Sequence, residues 1–181
     1  MVGHVDLSYK GRVYGYGSYD VLSERLGGAI GDGVLFKAEC QAYIDFCTQE
    51  GMTILGYQMV LSPEQEAAIE ERLDEIDKLL VPWNPSSEKV SKTTDGQAIE
   101  MYAYRIKEEI GAELFKFRKS KFKTYFVLST NCVFLEDSVI GQAGTDILGI
   151  RGFIAPGTYQ TNLAPEYEKQ HSMVVAKNIY Y

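Results

Sequence analysis

Histidine is the scarcest chemically active residue in this chain: only His4 and His171 occur in 181 residues. Any reaction that needs an imidazole therefore has two candidates. Cysteine is nearly as scarce, with Cys40, Cys47 and Cys132. An odd count at wide spacing does not make a disulfide framework. No CxxC or HxxxH pair is present, so neither a metal nor another cofactor is expected. No apolar run reaches the roughly 18 residues of a membrane span. Basic charge is short too, with 18 Lys and Arg against 25 Asp and Glu and a net charge of −7. A nucleic-acid partner needs a basic face, so that class is excluded. The opening Met1-Val2-Gly3-His4 lacks the basic and apolar regions of a secretion signal, which reads by default as cytoplasmic. Strand-like residues begin so early that the sequence also reads as a piece excised from a longer chain.

What is present suffices for one domain over residues 1–181, with 45% hydrophobic residues to build a single core. Two β-type runs, 4–9 (HVDLSY) and 12–19 (RVYGYGSY), flank Lys10-Gly11, a two-residue hairpin signal. His4 and Asp6 share a face of the first strand because side chains alternate. Residues 20–33 read as a loop with a helical turn near 21–26. A strand at 34–39 leads into a helix at 40–50, closed by Gly51. Cys40, Tyr43, Ile44 and Cys47 fall on its apolar face, so both cysteines read as core filler. A strand is expected over 52–61. Ser62-Pro63-Glu64-Gln65 is the clearest helix start, with Ser at the N-cap, Pro at N1 and Gln at N3. That helix is expected over 63–80, with Pro82 ending it. Residues 82–96 read as a loop, either a flap beside the site or a connector. Residues 97–117 read as helix, and 121–129 and 172–180 as strands. The basic run Lys116 to Lys123 reads as a solvated strand or turn, with a patch for an anionic substrate or surface as the sharper alternative.

The chemistry concentrates after Tyr125-Phe126-Val127-Leu128. Ser129-Thr130-Asn131-Cys132 follows, then the apolar helix pattern Val133, Leu135, Val139 and Ile140, closed by Gly141 and Gly144. Cys132 therefore falls in the first turn of a helix, where free N–H groups and the helix dipole favour a thiolate. Its backbone N–H, with Asn131 or Thr130 in support, can form an oxyanion hole. The bland alternative is a buried structural cysteine. A thiolate nucleophile also needs a base held by a third polar group. His4 opens a strand beside a hairpin with several polar residues, and His171 opens another strand.

The order of these motifs carries a resemblance. Gly3-His4-Val5-Asp6-Leu7 comes first, and Tyr125-Phe126-Val127-Leu128-Ser129-Thr130-Asn131-Cys132 comes late. This resembles the circularly permuted branch of the NlpC-type papain-like superfamily, in which a GHV strand with the base precedes an NC helix with the nucleophile. Lecithin–retinol acyltransferase-like proteins share that order. Pro156-Gly157-Thr158-Tyr159, a turn signal, looks like a loop common in bacterial members. The resemblance implies an α+β, papain-like domain with an antiparallel sheet packed against helices in permuted order. It implies Cys132 as nucleophile and His4 as base, with His171 the rival base. The substrates implied are amides or esters of peptides, cell-wall peptide stems or acyl lipids. The alternatives are a lipid acyltransferase or thioesterase, and a non-catalytic interaction module on the same fold. The family's third residue lies on the strand after the histidine, where Tyr14 to Asp20 offers no His, Asn or Glu. Asp20 and Tyr16 are the candidates there. Asp6 is a same-strand alternative, and a backbone carbonyl another. No oligomeric state is legible.

Overall fold

Lys10 and Gly11 turn the chain because both adopt left-handed backbone angles, φ 49° and 77°. A two-residue turn of that hand matches the twist of the strands it joins. In the computed structural model, β1 (Asp6–Tyr9) and β2 (Arg12–Gly17) accordingly pair as an antiparallel hairpin with Tyr9 opposite Arg12. The structure describes residues 4–87, 89–92, 98–143, 156–169 and 171–181, with backbone alone at 89–92, 98–100, 143, 156–159 and 162.

A short 3-10 turn leads to β3 (Ile30–Asp32) and β4 (Val34–Glu39), then α1 (Cys40–Gln49) and β5 (Ile54–Met59). Next come α2 (Pro63–Asp77), β6 (Leu80–Pro82), β7 (Lys89–Lys92) and β8 (Ala98–Glu100). The remaining elements are α3 (Tyr102–Ile110), β9 (Glu113–Phe117), β10 (Thr124–Phe126), α4 (Cys132–Ile140), α5 (Pro156–Glu168) and β11 (Val174–Tyr180). The main sheet has the order β1-β2-β4-β9-β6, with every neighbouring pair antiparallel. Three two-stranded sheets pair β3 with β10, β5 with β11 and β7 with β8. The architecture is mixed α+β.

Alternation along β4 builds the core on two sides. Val34, Phe36 and Ala38 face one cluster with Tyr43 and Phe46 of α1 and Ile106 of α3. Leu35 faces the other, with Ile69, Leu73 and Ile76 of α2 and Leu135 and Val139 of α4. Lys37, on the Leu35 side, is buried and reaches Asp77 of α2 at 2.6 Å. A third, smaller cluster joins Cys132 and Val133 to Leu163 of α5 and Val174 of β11. No helix among the described residues is long and apolar enough to cross a membrane.

The expected elements at 4–19, 34–39, 40–50, 52–61 and 172–180 are found with trimmed ends. The Ser62 capping box forms in both directions. Elsewhere the structure departs from expectation. The helix expected over 97–117 splits, because Gly111 takes φ 68° and stops α3, and Leu114 and Phe117 then bury themselves as part of β9. The helix at 63–80 ends at Asp77, which leaves Leu80 to pair in the sheet. The loop expected over 82–96 contains β7, and its residues 88 and 93–96 lie outside the described residues. The strand expected over 121–129 is a 3-10 turn followed by β10. Residues 156–159, expected as a turn, form the start of α5, where proline costs no helical hydrogen bond. Gly144 lies outside the described residues; Gly141 continues from α4 into a 3-10 turn.

Candidate active site

Asn131 makes the helix that carries Cys132. Its side-chain oxygen accepts the Phe134 N–H at 3.2 Å, an N-cap that satisfies one of the free donors of the first turn. Its Nδ2 donates to the Val127 carbonyl at 3.1 Å. Thr130 donates its hydroxyl to the Thr124 carbonyl at 2.7 Å. Both side chains thus shape the turn that presents Cys132. The cysteine is the first residue of α4 and is 2% exposed.

His4 lies just before β1, and the Cys132 side chain is among the groups close enough to act on its imidazole. The two motifs from opposite ends of the sequence therefore meet. The Nε2 edge of the ring faces two oxygens, Asp6 Oδ1 at 2.8 Å and the Tyr19 hydroxyl at 2.9 Å. Asp6 Oδ1 has no hydrogen bond of good geometry. The 2.8 Å contact is therefore an ion-pair distance, and Asp6 acts on the ring chiefly through its charge. Crowding by protein works to lower the His4 pKa. The Asp6 charge and contact, with a smaller contribution from Cys132, overcome that and hold it well above the usual histidine value. The side chain still keeps 38% of its surface, so one edge of the ring is open to solvent.

Asp6 is itself anchored from behind. Tyr43 of α1 donates its hydroxyl to Asp6 Oδ2 at 2.8 Å, and the Tyr102 hydroxyl of α3 donates to that of Tyr43 at 3.4 Å. Two glycines of the Tyr-Gly-Tyr-Gly run clear the space. A Cβ on Gly15 would overlap the Phe36 ring and the Asp6 carboxylate, and one on Gly17 would come 2.9 Å from the Tyr19 ring. Burial, with the neighbouring Asp6 charge, pushes the Tyr19 phenol well above its ordinary value, so it stays a neutral hydroxyl.

The other expected third residues are engaged elsewhere. Asp20 caps the 3-10 turn through the Leu22 N–H and binds Lys116 at 2.6 Å. Lys116 also holds Asp32 at 2.8 Å, which accounts for the first cation of the basic run. Tyr16 is fully buried, donates to the Phe122 carbonyl at 2.9 Å and packs edge-on against Phe117 and Phe122. His171 sits exposed at φ 63° in the turn before β11.

Two residues escaped the sequence reading. Tyr19 lay within the Tyr14 to Asp20 stretch, where Asp20 and Tyr16 are the expected candidates. Glu136 lay within the helix pattern read from its apolar members; it is 0% exposed, and its charged surroundings include Asp6, Cys132 and His4. The available signal was spacing, because Glu136 follows Cys132 by one helical turn.

Cys47 is buried in the α1 core, and burial pushes its thiol up, which makes it a poor nucleophile. Cys40 is half-buried and accepts a hydrogen bond from the Ser8 hydroxyl at 3.2 Å. Two shallow surface clefts, one beside Phe46 and Glu109 and one around Trp83, do not include Cys132. Among the described residues no group of three or more His, Cys, Asp or Glu is arranged to hold a metal ion. Comparison with protein-family models, curated proteins and solved structures returned no match.

Proposed function

We propose that this chain is a cysteine hydrolase of papain-like type in permuted order, acting on an amide or ester through an acyl-enzyme. The observation that carries the reading is a thiol at a helix start beside an imidazole that Asp6 keeps basic. His4 takes the Cys132 proton, and the thiolate attacks the substrate carbonyl carbon. The new C–S bond forms as the carbonyl π electrons move to oxygen. The backbone N–H of Cys132, in the first helical turn, has no intrahelical acceptor and is available to that oxyanion. As the intermediate collapses, the leaving amine or alcohol receives its proton from His4. Water, deprotonated by His4, then attacks the thioester and releases the acid and Cys132. Asp6 stabilises the imidazolium formed in each half-reaction, and Tyr19 fixes the ring.

The substrate class follows from the resemblance: peptides, cell-wall peptide stems or acyl esters. The second reading, a non-catalytic module on the same scaffold, is favoured by the burial of the Cys132 side chain. Alkylation separates the two. Iodoacetamide at neutral pH is expected to modify Cys132 fast and Cys40 and Cys47 slowly, followed by mass spectrometry of the peptides. Peptidoglycan fragments, peptides and acyl esters are then screened for a covalent acyl adduct on Cys132. Equal, slow modification of all three cysteines would sink the hydrolase reading.

A further inference from the structure

Glu136 is a fully buried carboxyl group with neither oxygen hydrogen-bonded. Such a group is costly unless something in the site uses it. It stands one helical turn after Cys132 on α4, and α4 packs on β1 and β2. Asp6 of β1 also carries an orphan buried oxygen, Oδ1. Two ionised carboxylates only accept hydrogen bonds, so they cannot satisfy each other, whereas one proton between them can.

The charges around Glu136 point the same way. The charged groups that act on it are Asp6 of β1, His4 just before that strand and Cys132 of its own helix. Arg72, the cation on neighbouring α2, pairs through its terminal nitrogens with Glu75 at 2.8 Å and Ser138 at 3.5 Å, and its buried Nε makes no hydrogen bond to Glu136 or any other group among the described residues. The Asp6 carboxylate already faces the His4 ring at 2.8 Å, and a second buried anion beside it would lack a counter-charge of its own. Burial, then the charges of Asp6 and Cys132, push the Glu136 pKa well above the usual carboxyl value. His4 and the Leu7 backbone N–H oppose that, but the N–H does not reach hydrogen-bond geometry at either oxygen.

We propose that Glu136 is a positioning residue, kept as a neutral carboxylic acid where α4 packs on β1, whose proton is donated toward Asp6 and holds that carboxylate behind the imidazole. This rests on the reading of Cys132 and His4 as nucleophile and base. Glu136 has no exposed surface and so does not touch substrate.

The test uses the full chain. Infrared spectra with carbon-13 glutamate should show a protonated-carboxyl band at neutral pH that disappears in Glu136→Gln. Glutamine keeps a donor and no charge, so the His4 titration followed by NMR should stay in place. Cys132 alkylation in Glu136→Gln should stay within about threefold of the parent, while Glu136→Leu, with no donor, should fall on the order of tenfold. A missing band, a drop in the His4 midpoint in Glu136→Gln, or parental alkylation in Glu136→Leu would each overturn the proposal. If the leucine variant does not fold, the band and the His4 titration still decide. Slow alkylation of the parent protein overturns the hydrolase reading instead, and leaves the charge state of Glu136 to be read from the band.

Discussion

Cys40 and Cys132 hold the same place in two helices, and their surroundings are opposite. Each is the first residue of its helix. The cap before Cys40 is Glu39, whose carboxylate accepts the Gln41 N–H at 3.0 Å and the Ala42 N–H at 2.6 Å. Those bonds lower the Glu39 pKa and place a full negative charge where a thiolate would need positive potential. The cap before Cys132 is neutral Asn131, and an ionisable partner close by is an imidazole whose pKa Asp6 raises. One turn on, α1 carries Ile44 where α4 carries Glu136. A helix start is common, and the sign of the charge around it is what separates filler from a candidate nucleophile.

The comparison breaks first at the cysteines themselves. Cys132→Ser should abolish fast alkylation, and His4→Ala should slow it by roughly 10²–10⁴ at neutral pH, the usual span for a general base. Fast labelling of Cys40 in either protein would erase the contrast. Next come the two aspartates. Asp6→Asn should lower the His4 titration midpoint, because crowding then loses its main opposing charge. Asp20→Asn should leave the midpoint unchanged and loosen Lys116 instead. His4 in its raised state stabilises the fold below about pH 6.5, and that contribution is lost as pH rises through the folded value. Denaturation of the parent and His4→Ala across pH checks the sign.

The smaller effects concern stability. Gly15→Ala should cost about 1–3 kcal/mol in urea unfolding, since the added methyl meets Phe36 and Asp6. Glu136 is raised above its unfolded value, so the folded protein holds a proton that the unfolded chain has released. Its stability relative to Glu136→Gln should therefore fall as pH rises above about 4.5, by about 1.4 kcal/mol per pH unit until Glu136 ionises. Smallest of all, Cys40→Ser should change stability within about 0.5 kcal/mol and leave the labelling of Cys132 untouched.

Local signals made much of the fold legible. Ser62 with Gln65 marks α2, Lys10-Gly11 marks the first hairpin, and Asn131 marks the start of α4, because each works through hydrogen bonds a few residues long. Residues 97–117 misled because Gly111 stops a helix whose continuation, Ala112 to Phe117, is apolar enough for either element. At the site, the placement of Cys132 on a helix start was legible, and its meeting with His4 was expected from order alone. The orienting groups were harder. Asp20 was favoured by its distance along the strand, but it is drawn off by Lys116, a partner 96 residues away. Tyr19, Tyr43 and Glu136 reach the site only through packing of α1, α3 and α4, which no short pattern in the sequence reveals.

The hydroxyl chain from Tyr102 through Tyr43 to Asp6 has a consequence for the order of assembly. The carboxylate behind His4 is anchored by α1 and α3, while its sulfur neighbour arrives on α4, most of the chain away. Contacts that distant close late, after local hairpins and helices have formed. Until α4 docks, β1, β2 and α1 can hold Asp6 without Cys132 beside it. Reactivity at this cysteine would then report completion of the tertiary structure, arriving after the helical signal in a refolding experiment.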